Sequence, residues 1–230
     1  PRETLKVRYH QENGRPAMDP ALREQIDLVI GPDERTFEII SGQYDRLYRN
    51  NGDGTYTDVT HASLGEVAAG NEMGNAVLWW DYNNDLFPDL YVANDFGRNN
   101  LYRNDGGTFT DVAASSRALD MAAGMGISPS DINGDGRLDL YVSNMHTAAG
   151  RRVTAHERFQ GSAPASVRAH YRGHTRGNSV LVQEDSGHFR DISSSALASP
   201  GGWAWGAIHL DMNNDGWDEF VVPNGFLTGS

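Results

Sequence analysis

Short apolar runs alternate with turns rich in glycine, asparagine and aspartate along most of the chain. Three acidic loops share the pattern D-x-N-x-D-x-x-x-(D/E), at residues 81–89, 131–139 and 211–219. A strand-like run precedes each loop, at 74–80, 124–130 and 204–210, and a short apolar run follows it. An asparagine then comes in the same register, as Asn94, Asn144 and Asn224. This recurrence predicts a repeated unit of strand, acidic loop and strand.

A second repeated element consists of two short runs joined by a glycine-containing turn, at residues 47–59, 101–112 and 181–192. Asn-Gly and Asp-Gly between apolar or β-branched runs are strong hairpin signals, because a type I′ turn needs positive φ at both central residues. Joined to the preceding unit, this hairpin completes a four-stranded antiparallel meander. Units of about 40 to 50 residues are typical of β-propeller blades. The longer spacing before the third loop predicts an insertion at about 146–178.

The fold class predicted from these repeats is all-β, a β-propeller of four-stranded antiparallel blades. The repeats supply about three blades, fewer than the four to eight of known propellers. We therefore expect an incomplete arc whose other blades are missing, diverged or supplied by another chain. Residues 47–230 form the predicted propeller region. Residues 1–46 form a separate N-terminal segment with irregular strands at 5–10 and 36–41.

A short helix is predicted in this N-terminal segment, from Asp19 to Gly31. Asp19 is a suitable N-cap, and Leu22, Ile26 and Val29 fall on one face of a helix in that register. Its apolar face would pack on the first blade or serve as an attachment point.

Oxygen donors occupy positions 1, 3, 5 and 9 of every acidic loop, and oxygen is the ligand that calcium prefers. The backbone carbonyl at position 7 is a natural further ligand. The predicted ligands for up to three Ca²⁺ ions are Asp81, Asn83, Asp85, Phe87 and Asp89; Asp131, Asn133, Asp135, Arg137 and Asp139; and Asp211, Asn213, Asp215, Trp217 and Glu219. Glycine at position 6 allows the turn around an ion, as at Gly136 and Gly216. Leu86 takes that position in the first loop, which is therefore expected to bind most weakly.

The acidic loops have two other interpretations, an EF-hand and a set of solvated bends. An EF-hand requires glutamate at position 12, where this chain has Val92, Val142 and Val222, so that motif is excluded. Aspartate and asparagine are also ordinary turn residues, so the loops could simply be solvated bends. Three copies favour metal, because each loop gathers carboxylates that repel one another, and no basic residue is patterned to neutralise them. Nine loop carboxylates account for most of the net charge of −12.

The acidic loops, the apolar run LYVAN and the hairpin pattern LYRN followed by G-T-(F/Y)-T-D-V resemble FG-GAP/VCBS repeats, the calcium-binding blades also found in integrin α-subunit heads. The segments 94–97, 203–206 and 224–229 are similar to a bacterial exported branch that often carries an ASPIC-type module. The resemblance covers about residues 47–229. It implies a calcium-binding module for protein–protein interaction or assembly, a subunit or fragment of a larger exported complex, with an extracellular or periplasmic location. The alternative is a propeller-type polysaccharide lyase or hydrolase in which calcium assists substrate binding.

Charge is distributed unevenly along the chain. The acidic balance and a pI near 5.0 disfavour nucleic acid as a partner, and no apolar stretch is long enough for a membrane-spanning helix. The predicted insertion, in contrast, contains six arginines and one glutamate, which favours an anionic ligand or an acidic protein partner there. The other interpretation is a solvated loop, or one folded back on the acidic blades.

Overall fold

A computed structural model of the chain describes residues 45–65, 73–95, 97–146, 148–184, 187–199 and 201–225 in full. Between residues 1 and 44 it describes the backbone of four strands. The strands are β1 (Tyr9–Glu12), β2 (Arg15–Met18), β3 (Ile26–Ile30), β4 (Thr36–Ile40), β5 (Tyr48–Asn50), β6 (Tyr56–Asp58), β7 (Gly74–Trp80), β8 (Asp89–Asn94), β9 (Asn100–Asn104), β10 (Phe109–Asp111), β11 (Gly124–Ser130), β12 (Asp139–Asn144), β13 (Ser179–Gln183), β14 (Phe189–Asp191), β15 (Ile208–Leu210) and β16 (Glu219–Val221). The helices are α1 (Thr60–Leu64), α2 (Ala148–Ala155) and α3 (Ala165–His174).

Two four-stranded antiparallel sheets form the centre of the described structure. Strands β7 to β10 pair in sequence order, and β11 to β14 do the same. Each sheet contains an acidic loop between its first two strands and a glycine-containing turn between its last two. These sheets confirm the predicted four-stranded antiparallel unit. Two-stranded hairpins β5–β6 and β15–β16 have the sequence patterns of half a blade each.

The sheets stack face to face because the second strand of each blade is apolar on both sides. Tyr91 and Ala93 of β8 pack in one cluster with Leu140 and Val142 of β12. The alternate residues of β8 pack on the other side of the sheet, with Leu64 of α1. Side chains point to opposite faces along a strand, so one strand contributes to two separate cores. All six residues of β8 and of β12 are buried.

The predicted N-terminal helix is wrong over the residues that can be checked. Ile26–Ile30 is strand β3, paired antiparallel with Thr36–Ile40, which confirms the strand expected near 36–41. Ile26 and Val29, two residues of the helical pattern, belong to the run 26–30, which is rich in β-branched residues. The next run along the chain, 36–40, is also rich in β-branched residues. Such runs favour a hairpin over a helix. Residues 19–25, the first part of the predicted helix, lie outside the described residues.

The connection from β12 to β13 contains α2 and α3, whereas β8 and β9 are joined by a short loop. This is where the sequence predicted an insertion. Tyr171 of α3 packs edge-to-face against Phe159, with 5.2 Å between the ring centroids. Within the described residues, no helix has the length and apolar character required to cross a membrane.

Candidate functional site

The three acidic loops adopt the same backbone conformation. Positive φ angles occur at positions 4 and 6 of each loop, in Asn84 and Leu86, Gly134 and Gly136, and Asn214 and Gly216. Leu86 has a φ of 73°, in the left-handed region that the sequence analysis expected only glycine to adopt at this position. This conformation is strained for a side chain such as leucine. The shared backbone makes the three loops geometrically equivalent despite their different sequences.

In the second loop the side chains of positions 1 and 3 converge on the backbone N–H of Asp135. This group donates to Oδ1 of Asp131 at 2.9 Å and to Oδ1 of Asn133 at 3.0 Å. The N–H of Gly136 donates to the other oxygen of Asp131 at 2.7 Å, and the N–H of Arg137 donates to Asp135 at 2.9 Å. The Asn133 amide donates to the second oxygen of Asp135 at 2.8 Å. Positions 1, 3 and 5 are thus held together on the inside of one bend.

The first and third loops repeat this network. In the first, Asp81 accepts from the N–H groups of Asp85 and Leu86 at 3.0 and 2.8 Å. In the third, Asp211 accepts from Asp215 and Gly216 at 3.1 and 2.8 Å. The position-3 asparagines accept and donate as Asn133 does. The backbone N–H of position 7, in Phe87 and Trp217, donates to position 5. The carbonyls of position 7 as ligands stay a prediction.

The closing carboxylate at position 9 is fully buried in both complete blades. Asp139 accepts from the N–H of Ile132 at 3.0 Å and from the N–H of Gln183, at the end of β13, at 2.7 Å. Asp89 makes the equivalent pair of bonds to Tyr82 and Asn104, at 3.1 and 2.8 Å. Both side chains are inaccessible to solvent. The ninth residue therefore connects the acidic loop to the third strand of its own blade.

Burial raises the pKa of the Asp139 carboxyl above its ordinary value, although two backbone N–H groups lower it. The neighbouring carboxylates of Asp135 and Asp131 raise the pKa further. Burial raises the pKa of Asp89 in the same way, and Asp85 and Asp81 add to the shift. The negative charge of each closing carboxylate is therefore disfavoured in the loop by itself, and a cation beside it would relieve that cost.

Arg137 is a loop residue whose side chain the sequence interpretation missed. Its guanidinium lies 2.5 Å from Asp135 Oδ2, so the second loop does contain a basic partner, contrary to the prediction that none was placed to neutralise these carboxylates. Desolvation raises the pKa of Asp135, but the backbone N–H and the guanidinium of Arg137 together with Asn133 hold it below its ordinary value.

Two further contacts join neighbouring loops. The Gln183 side chain at the end of β13 donates to the carbonyl of Tyr82 in the first loop at 2.5 Å. The Trp217 ring of the third loop lies over Gly134 of the second, so close that a Cβ on Gly134 would meet it at 3.1 Å. Both contacts link residues far apart in sequence. The three loops therefore form one continuous end of the stacked blades.

The family comparison matches this repeated geometry. A model described as FG-GAP-like repeat matches residues 24–91 and again 81–142, together more than half of the chain. The chain belongs to the FG-GAP-like repeat family. The two matches overlap at the first acidic loop, and the second ends just after the second loop. No curated protein matches the chain. The first match begins at residue 24 and so includes β3 and β4, upstream of the resemblance seen from the motifs.

At the opposite end of the FG-GAP-like blades, the repeated asparagine anchors the connection to the third strand. The Asn144 backbone N–H donates to the Asn178 side chain at 2.8 Å, and the Asn144 amide donates to the carbonyl of Gly177 at 2.9 Å. Asn94 makes the same backbone bond to Asn99 at 2.8 Å. These asparagines have a structural role, which explains why the register of the sequence repeat includes them.

A small pocket beside the second FG-GAP-like blade gathers His209, Tyr141 and Asp218, the residue types that would favour the enzyme alternative. Their polar groups are already engaged in packing the blades together. The His209 Nδ1 lies 2.7 Å from Ser128 Oγ, and Ser130 donates to Asp218 at 2.7 Å. The Tyr141 hydroxyl donates to the carbonyl of Ala198 at 3.3 Å. This pocket gives the enzyme alternative no specific support.

Proposed function

We propose that this chain is a calcium-binding β-propeller module for protein–protein interaction or assembly, and that it works as part of a larger exported complex, extracellular or periplasmic. The observation that carries the proposal is the shared hydrogen-bond network of the three acidic loops. Each loop holds its first, third and fifth side chains on the inside of one bend. Membership of the FG-GAP-like repeat family supports the same function, since such repeats are typical of interaction modules.

The residues of the loops fit a hard cation. The N–H bonds to each carboxylate fix its orientation, and each carboxylate oxygen keeps a further lone pair for an ion, except Asp135 Oδ2, which accepts from both Asn133 and Arg137. Among the described residues, no three His, Cys, Asp or Glu side chains form a group that could hold a metal by themselves. Calcium bound in these loops would therefore also take amide and carbonyl oxygens, which it accepts readily. It would supply positive charge beside the carboxylates of each loop.

Exposed apolar side chains on the same loops support an interaction role. Leu86 and Phe87 of the first loop, Leu138 of the second, and Met212 and Trp217 of the third are all exposed. Apolar side chains grouped at one end of a protein and surrounded by polar residues are typical of binding surfaces. Calcium in the loops would fix the backbone that presents these side chains to a partner.

The proposal is tested by thermal unfolding in calcium, in magnesium and in excess chelator. Calcium should raise the melting temperature and the chelator should reverse the effect, because a ligand that binds only the folded state stabilises it. Saturation to a hundred times the dissociation constant contributes about 2.7 kcal/mol per site. Magnesium should have a smaller effect, because it prefers small octahedral sites.

A variant with Asp131→Asn and Asp135→Asn should lose part of the calcium effect. The matched control carries Asp53→Asn and Asp105→Asn, the same change of charge in two hairpin turns outside the loops, and should keep the whole effect. Identical melting curves in calcium and in chelator would remove the basis of the proposal.

A further inference from the structure

Most arginines of the insertion have no acidic partner among the residues that the structure describes. Arg176 is paired with Asp120 at 3.0 Å and with Asp191 at 2.5 Å. Arg168 donates to backbone carbonyls. The side chains of Arg151, Arg152, Arg158 and Arg172 have no carboxylate partner among the residues that the structure describes. The insertion is thus a positively charged region on a protein whose net charge is −12. The insertion is therefore a surface suited to an anionic ligand.

Two of these arginines line a pocket along one face of α2. Ala148, Arg151, Arg152 and Ala155 follow the helical spacing that places side chains on one face, and His146 lies at the N-terminal end of the same pocket. The pocket has a volume of about 370 Å³. Alanine at both ends leaves space beside the guanidinium groups. The face spans about 10 Å, since each helical residue advances 1.5 Å.

His146 borders this pocket, but its Nε2 is inaccessible and does not face the open volume. Its Nε2 is buried and has no hydrogen-bond partner within the described structure, while its backbone N–H donates to the carbonyl of Gly202 at 2.8 Å. Burial lowers the pKa of His146, and the nearby Arg151 lowers it further, so the ring is neutral at neutral pH. A neutral ring adds no charge, so the positive charge of the pocket comes from Arg151 and Arg152.

We infer that this pocket binds an acidic peptide segment of a protein partner, with carboxylates held by the guanidinium groups of Arg151 and Arg152. The inference rests on the proposed role as an interaction module and names the chemistry of its partner. A face of about 10 Å matches about three residues of an extended peptide. No phenylalanine, tyrosine or tryptophan stands among the described residues that line the pocket, so a sugar ring would find no aromatic face to stack on. A peptide is therefore favoured over a polysaccharide.

The experiment uses fluorescein-labelled hexaglutamate and measures fluorescence anisotropy at physiological ionic strength, with calcium and with chelator. The double variant Arg151→Gln and Arg152→Gln should raise the dissociation constant tenfold or more, because charge-assisted hydrogen bonds are lost. The matched control, Arg158→Gln and Arg172→Gln, removes the same charge from the same insertion outside the pocket and should change the constant less than about twofold.

Equal weakening by both double variants would show general charge attraction and overturn the inference. Absence of binding to hexaglutamate would also overturn it, as would binding of a sulfated polysaccharide alone that depends on Arg151 and Arg152. Thermal unfolding of each variant shows whether it folds. If chelation leaves the melting temperature unchanged while hexaglutamate still binds through the two arginines, the calcium proposal fails and this inference stands. If calcium stabilises the protein and the peptide does not bind, only this inference fails.

Discussion

The second and third acidic loops have the same backbone and the same inner hydrogen bonds, yet they close in different ways. In the second, Asp139 is fully buried and accepts one bond from its own loop and one from the end of β13. In the third, Glu219 accepts from the N–H of Met212 and from the Asn213 amide, at 3.0 and 3.1 Å, so both donors belong to its own loop. The inner bend of an FG-GAP-like loop is therefore local, whereas burial of its last carboxylate depends on the third strand of the blade.

The largest difference is expected on removing the closing carboxylate. Asp139→Ala leaves the N–H groups of Ile132 and Gln183 unpaired, and the Gln183 group is buried. Each such loss costs about 1 to 3 kcal/mol. We expect a loss of about 3 kcal/mol in the free energy of unfolding, measured by urea denaturation in chelator so that metal does not contribute.

Glu219→Ala is the matched control for that measurement. Its carboxylate is only half-buried, and its partners can turn to water, so the expected loss is below about 1 kcal/mol. A loss at Glu219 as large as the loss at Asp139 would contradict the comparison, because the third strand would then add nothing to the closing bond.

Arg137 provides the second difference between these loops. In the second loop its guanidinium is a tethered cation on Asp135, and the third loop has Trp217 at that position. A calcium ion in the second loop must compete with this guanidinium. Arg137→Gln should therefore raise the calcium affinity of the second loop about three- to tenfold, measured by isothermal titration calorimetry.

The control for Arg137 is Arg103→Gln, which removes an arginine paired with Asp105 in a hairpin turn outside the acidic loops, at 2.9 Å. That variant should leave calcium affinity unchanged. Weaker calcium binding in Arg137→Gln would show that the arginine organises the loop instead of competing for it.

The four-stranded sheets and the equivalence of the loops could be predicted from the sequence because both depend on local patterns. The spacing D-x-N-x-D sets a bend whose hydrogen bonds join residues two to five positions apart. Two of the three strands predicted before the acidic loops, β7 and β11, begin and end at the predicted residues. The third, β15, covers only Ile208–Leu210 of the predicted 204–210. The sequence pattern at β3 predicted a helix, because a run this short fits both helical and strand periodicity. Pairing with β4 makes it a strand.

The connections between blades could not be predicted in the same way. Gln183 bonds to Tyr82, and Trp217 packs on Gly134, only because sheets distant in sequence are stacked. No spacing in a single sequence contains that information. The contact between Arg137 and Asp135 is local in sequence. The loop motif nevertheless did not predict it, because the motif assigns a role only to the backbone carbonyl of residue 137. The pocket along α2 also required the structure, because the set of side chains that line it depends on how the insertion folds.

His209 lies between the second blade and the hairpin of the third loop, and its substitution is expected to have the smallest effect on the free energy of unfolding. It lies on β15, its Nδ1 is 2.7 Å from Ser128 Oγ on β11, and its ring packs edge-to-face on Tyr141 at 5.7 Å. Burial lowers the pKa of His209, and the charge of Asp218 offsets this only in part. The unfolded chain therefore takes up a proton at higher pH than the folded protein does. The contribution of His209 to stability is complete above about pH 6.5 and is lost as the pH falls below that value.

His209→Gln should flatten the pH dependence of the free energy of unfolding below about pH 6.5, an effect smaller than about 1 kcal/mol. Urea denaturation at a series of pH values measures this slope. His61→Gln, a change at an exposed position on α1 remote from this contact, should keep the slope of the unaltered protein. If the His209 variant kept the full slope as well, protonation at the junction between β11 and β15 would have no effect on stability. The hairpin of the third loop would then be held to the second blade by Phe220 on Tyr141, by Trp217 on Gly134 and by the bond from Ser130 to Asp218, none of which involves a histidine.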